Sequence, residues 1–141
     1  MKIFEKTGDV LSDATTFETL LVTTPANYQM AGLSAVLDRE YGISRTLNYL
    51  GFNLCPDCVY TCPVMILVAQ NNEESRPSLE QIEAAFSICR KVCEYENVNL
   101  IAMPPVYTKH YPWAEIKKII IKTFAETDVV FNVYFRQNRR N

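Results

Sequence analysis

The stretch VMILVAQNNEESRPSLEQIEAAFSICRKVCEYENVNLIAMPPVYTKHYPWAEIKKIIIKTFAETDVVFNVY, residues 64–134, decides the fold. It opens on a short continuous apolar run, 64–69, as expected of a central strand covered on both faces. Pro77 and Ser78 then begin a helix. Ser78 and Gln81 form a capping box, and Leu79, Ile82, Phe86, Cys89 and Cys93 recur at spacings of three and four, which marks the core face.

A second strand, 99–103, stops at Pro104 and Pro105, because proline cannot continue a ladder in a central position. Pro112 suits the first turn of another helix, which carries Trp113, Ile116, Ile120 and Phe124 on one side. Residues 128–135 close the chain as a strand. Strand, helix, strand, helix, strand is the order of layered α/β architecture with a largely parallel sheet.

Upstream, residues 3–6 and 20–24 read as strands. After Gly32, the positions Leu33, Val36, Leu37 and Tyr41 recur at helical spacing, Gly42 ends that helix, and a further helix covers 44–50. The whole predicts a three-layer α/β/α arrangement around a central, mostly parallel mixed sheet. With 141 residues and 48% apolar composition, one domain spanning 1–141 is the expectation.

The formal net charge of −2 provides no broad positive field for nucleic acid. Arg136, Arg139 and Arg140 form the one basic cluster, and it reads as a solvated end. No run reaches the roughly 18 apolar residues needed to span a bilayer, and residues 1–11 contain no apolar signal core. The reading is therefore a soluble, cytoplasmic protein with no membrane partner. Five cysteines fit a reducing compartment better than a disulfide framework.

In open α/β sheets the ligand crevice lies at the carboxyl ends of the strands, where helix N-termini favour anions. Residues 23–32 (TTPANYQMAG) and 104–112 (PPVYTKHYP) occupy such positions. The second loop carries the single histidine, His110, with Tyr107, Thr108, Lys109 and Tyr111 around it. A phosphate site there is physically reasonable, although a histidine between aromatics is commonly just packed. Asp9, after the first strand, either accepts from an exocyclic amine or merely caps a turn. Cys55, Cys58 and Cys62 resemble a metal knuckle, but no fourth ligand completes the set, and no metal or other cofactor is assigned.

These residues resemble the macro domain family, and in particular its branch related to ADP-ribose 1''-phosphate phosphatases. Residues 64–134 carry the case: a strand, an Arg76-Pro77-Ser78 helix opening, a strand ending in Ala102-Met103-Pro104, a loop, Pro112-Trp113 opening a helix, and a closing strand. Gly8-Asp9-Val10-Leu11 is similar to the family's opening signature. The resemblance implies that Asp9 contacts an adenine amine beside Val10, and that Tyr134 or Phe135 stacks on the ring. It also lets Asn27 stand for the second of two family asparagines, the first being lost here; in the enzyme reading Asn27 would position a water or ribose hydroxyl and His110 would serve as acid or base.

Two departures stand out. The family's glycine-rich turn after the second strand is reduced here to Gly32, and residues 105–111 contain no glycine. Because glycine permits close backbone approach to a ligand, the bulky replacements predict a narrowed or reshaped pocket, with Lys109 substituting a point charge for amide contacts. So pared-down a member implies a phage or other mobile genome as the source, and hence the host cytoplasm. The resulting expectation is a module that binds ADP-ribose or a related nucleotide, weakly or not catalytic. The alternatives are an ADP-ribose 1''-phosphate phosphatase or ADP-ribosyl hydrolase, and a structural protein forming a homo-oligomer through an apolar patch such as Phe52, Leu54 and Tyr60.

Overall fold

The structure is a computed structural model that describes residues 1–28, 30–50 and 54–136. Six strands form one sheet in the order β1-β6-β5-β2-β4-β3: β1 (Lys2–Thr7), β2 (Thr19–Thr23), β3 (Asp57–Thr61), β4 (Val64–Val68), β5 (Leu100–Met103) and β6 (Val130–Phe135). Five run parallel, and β3 pairs antiparallel with β4. The helices are α1 (Val10–Asp13), α2 (Gly32–Tyr41), α3 (Ile43–Leu50), α4 (Leu79–Glu96) and α5 (Trp113–Thr123).

Alternation along the strands sends side chains into two layers, as the pleat requires. Met65 and Leu67 of β4 join Ile101, Met103, Phe131 and Val133 beneath Phe86, Cys89, Ile116 and Ile120 of α4 and α5. Val64, Ile66 and Val68 face the opposite way, onto Leu37, Ile43 and Leu47 of α2 and α3. Every residue of β4 is buried, in agreement with the continuous apolar run. Each such fully buried Leu, Ile or Phe contributes about 1.5–3 kcal/mol.

The helix signals act where they were placed. Ser78 Oγ accepts the Gln81 amide at 3.1 Å, and Gln81 Oε1 accepts the Ser78 amide at 3.2 Å. Gly42, at φ 64°, closes α2 in the left-handed conformation that glycine tolerates best. Pro112 stands one position earlier than expected, as the N-cap of α5, where its missing amide costs the helix nothing. Leu79 is only half-buried, and Ala85 completes the core stripe instead.

Two elements are missing from the sequence reading, the short α1 and the strand β3. Residues 57–61 lie inside the cysteine-rich run and form β3, an edge strand whose Thr61 faces Val64 across a tight turn. As a result the three cysteines separate. Cys58 points into the core beneath α4, Cys62 is exposed, and the half-buried Cys55 has its sulfur 4.0 Å from Gln81 Nε2. Among the described residues no group of three His, Cys, Asp or Glu side chains is placed to hold a metal ion. Nor, among these residues, is any helix long and apolar enough to cross a membrane.

Candidate functional site

The strand order fixes where a cleft can open. After β2 the chain turns outward through α2 and α3 towards β4, whereas after β5 it turns the other way, through α5 to β6. β2 and β5 are neighbours, so their carboxyl ends form a topological switch point, at which the two departing connections leave a gap. A cleft of about 380 Å³ lies there, walled by residues 22–25, Ala31, Leu33 and Ser34 on one side and by residues 104–110 on the other, with Gln70 and Glu73 beyond the end of β4.

On the first side, the chain beyond β2 remains tied to the β4 exit. The Thr24 amide donates to Leu67 O at 3.0 Å and the Ala26 amide to Gln70 O at 2.9 Å. The Tyr28 amide then donates to Pro25 O, closing a turn that leaves Tyr28 at φ 58°. α2 follows, and its N-cap residue, Ala31, has no side-chain oxygen to offer the first-turn amides. Ser34 Oγ instead donates to Ala31 O at 2.8 Å. The positive end of the α2 dipole therefore faces the cleft through Ala31, Leu33 and Ser34.

On the second side, Pro104 and Pro105 end the β5 ladder and the chain folds over at Tyr107, which adopts φ 60°. The amides of His110 and Tyr111 both donate to Tyr107 O at 3.1 Å, making a compact loop. Residues 76–77 hold that loop from outside. Arg76 donates to His110 O at 3.3 Å and lies 4.8 Å over the Tyr111 ring, whose hydroxyl donates to Pro77 O at 2.7 Å. The His110 ring lines the cleft and, among the described residues, makes no hydrogen bond of its own.

The expectation that bulky residues would narrow or reshape the pocket meets a specific geometry. Tyr28 and Tyr107 both take left-handed backbone conformations, which cost roughly 1–2 kcal/mol each for a residue with a Cβ. Both rings turn into the core, Tyr28 under α2 and α3, Tyr107 under α4. Burial pushes the Tyr107 phenol well above its usual range, with the Cys55 and Cys58 thiols adding to the effect, and among the described residues its hydroxyl has no partner. Tyr111 points to Pro77. The three rings are thus held by the core or by Pro77, while Tyr107 still contributes to the cleft wall.

Asp9, Val10 and Tyr134 come together next to this cleft, along its β6 side. Val10 and Tyr134 pack with Ala102, and Leu33, which also lines the cleft, packs against the same cluster. Asp9 is the N-cap of α1: its Oδ1 accepts the Leu11 amide at 2.8 Å, and Asp13 Oδ2 reaches back to the Asp9 amide at 2.6 Å. Gly8 lies close against the Asp13 carboxylate, which a Cβ there would displace. Burial raises the Tyr134 phenol, as do the Glu18 and Asp13 carboxylates beside it. Phe135 faces the opposite side of the sheet and meets Trp113 edge-on at 5.8 Å.

Of the other residues singled out in the sequence, Thr108 and Lys109 are exposed on the cleft loop and Gly32 begins α2 at φ 55°. Asn27 is exposed on the turn at 25–28 and is not among the residues that wall the cleft. Gln70, Glu73 and Ser34 were missed. The first two follow a central strand at its carboxyl end, so the rule that selected the other loops also applies to them. Phe52 lies outside the described residues, Leu54 is 63% exposed, and Tyr60 packs against the core.

No protein-family model matches the chain, and no curated protein sequence matches it. Solved structures do. The macrodomain of Mycobacterium tuberculosis DarG is similar at TM-score 0.78 and 18% identity, over 94% of this chain and 96% of that one. The macrodomain of Thermus aquaticus DarG is similar at 0.74 and 16% identity, over 96% and 98%. Thermosipho africanus DarTG in complex with ADP-ribose is similar at 0.73 and 10% identity, over all of this chain and 43% of that one. The fold of this chain is the macrodomain fold, at sequence distances where the fold alone is established.

Proposed function

We propose that the cleft between the β2 and β5 ends binds ADP-ribose or a closely related nucleotide, and that the protein is a binding module with weak catalysis or none. The observation that carries this reading is the pairing of the side-chain-free α2 N-terminus with the loop at 104–110 across one open cleft. Backbone amides and a helix dipole converging on one gap suit a pyrophosphate, and Lys109 adds a cation on the same side. The adenine end falls to Asp9, Val10 and Tyr134, and the distal ribose to Gly32, Tyr107, Thr108 and His110. The ADP-ribose complex of the similar DarTG supports the choice of ligand class.

The second reading, hydrolysis of an ADP-ribose derivative, rests on His110, which lines the cleft and whose ring makes no hydrogen bond among the described residues. Its intended companion Asn27 is not in the cleft wall, so an acid–base pair has one member in place.

Calorimetry with ADP-ribose, its 1''-phosphate and ADP tests the proposal. The expected result is micromolar binding of ADP-ribose, about −8 kcal/mol, with ADP weaker because it leaves the 104–110 side empty. No heat at millimolar ligand overturns it.

A further inference from the structure

Glu18 and Asn132 are buried polar residues, 5% and 7% exposed. Asn132 Nδ2 donates to Glu18 Oε2 at 3.0 Å, and Glu18 Oε1 accepts the Thr15 amide at 2.9 Å. The Glu18 amide in turn donates to Thr15 O at 3.2 Å. Among the described residues no Lys or Arg pairs with this carboxylate. A buried carboxylate without a cation is costly, and an apolar residue would pack there more cheaply. What the pair provides instead is a fixed register between two parts of the chain 114 residues apart.

Those two parts are the walls of the adenine end. Glu18 closes the segment that begins with Gly8, Asp9 and Val10 and winds through α1. Asn132 lies two residues before Tyr134 on β6, so both side chains emerge on the same face of the sheet. Asn132 is level with Ala102 of β5 and Phe4 of β1, and so sits beside a member of the Val10–Ala102–Tyr134 cluster. Pulling the 8–18 segment down onto Asn132 sets the height of Val10 and Asp9 above Tyr134.

We infer that Glu18 is a positioning residue for the adenine end of the ligand: through Asn132 it holds the Asp9–Val10 wall in register with Tyr134. This rests on the reading of the cleft as a nucleotide site, and makes a separate claim. The adenine subsite depends on the Glu18–Asn132 bond, while the phosphate subsite between α2 and the 104–110 loop does not.

The test compares three ligands by calorimetry, ADP-ribose, AMP and ribose 5-phosphate, on the full chain and on variants. Asn132→Asp sets two carboxylates against each other, and affinity for ADP-ribose and AMP is expected to fall about tenfold or more, with ribose 5-phosphate unchanged. The pair Glu18→Gln with Asn132→Asp restores a donor facing an acceptor and is expected to recover adenine binding. If Asn132→Asp does not fold, Asn132→Ser removes the reach to Glu18 without adding charge and is measured in its place. Equal losses for all three ligands, unaltered ADP-ribose binding, or no recovery in the double variant each overturn the inference. Silence of the unsubstituted chain towards every ligand overturns the cleft reading itself, and this inference with it.

Discussion

Arg136 Nη2 lies 3.3 Å from Asp9 Oδ2, joining the end of the last strand to the first turn after the first. The bridge is exposed on the arginine side, and such pairs contribute about 0–1 kcal/mol. It does, however, occupy the carboxylate oxygen that α1 capping leaves over. Arg136→Ala is therefore expected to leave the melting temperature nearly unchanged and ADP-ribose affinity equal or higher. Asp9→Asn keeps an oxygen for the Leu11 amide but turns the other towards the ligand as a donor, and should lower affinity about tenfold at unchanged stability. Calorimetry beside thermal melts reads both. A tenfold loss in Arg136→Ala would transfer the contact from Asp9 to Arg136.

Tyr107 combines three costs: a left-handed backbone, burial and a hydroxyl without a partner among the described residues. Removing only the hydroxyl, as in Tyr107→Phe, should stabilise the protein by about 1–3 kcal/mol, the usual penalty of an orphan buried group. Tyr107→Gly relieves the backbone but loses the ring, and should destabilise by a net ~2 kcal/mol, because a lost core aromatic (~3–5) outweighs left-handed strain (~1–2). The phenol adds a pH signature. Its folded pKa is raised by burial, so its contribution is intact below the ordinary tyrosine value and lost as pH rises above that value through the folded one. Alkaline unfolding, followed by phenolate absorbance and circular dichroism, should shift to higher pH in Tyr107→Phe. No stabilisation in that variant would mean the hydroxyl has a partner in solution.

What could be read in advance depends on how local the determining physics is. β4, α4, β5, α5 and β6 were legible because apolar run length, the Ser78–Gln81 box and the Pro104–Pro105 stop act over a few residues. β3 was not, because its identity depends on pairing with β4, and the Cys55, Cys58 and Cys62 spacing suggested a competing use. In the site, His110 and Lys109 were placed by the rule for strand carboxyl ends. The directions of Tyr28 and Tyr107 could not be, since a non-glycine φ above zero is set by the core that receives the ring and not by neighbours in the chain.

The cysteines supply a direct check of the packing. Cys89 and Cys93 are buried on the α4 core face, their thiols pushed up by contact with neighbouring thiols and by burial. Only a thiolate reacts readily, so both should resist alkylation in the native state. Cys62, exposed at the β3–β4 turn, should label first with iodoacetamide under native conditions, as read by peptide mass spectrometry. Early modification of Cys89 would show that α4 opens far more readily than its buried face implies.

His110 decides between binding and turnover. Among the described residues no second group hydrogen-bonds the His110 imidazole, and orientation is what converts a nearby base into an effective one. Asn27, on the exposed turn before α2, does not supply it from the cleft wall. Phosphate release from ADP-ribose 1''-phosphate should therefore be no faster with the unsubstituted protein than with His110→Ala, while both bind ADP-ribose within about fivefold of each other. Release that exceeds the variant by about a hundredfold, the scale of a positioned general acid or base, would instead make His110 catalytic and bring the hydrolytic reading forward.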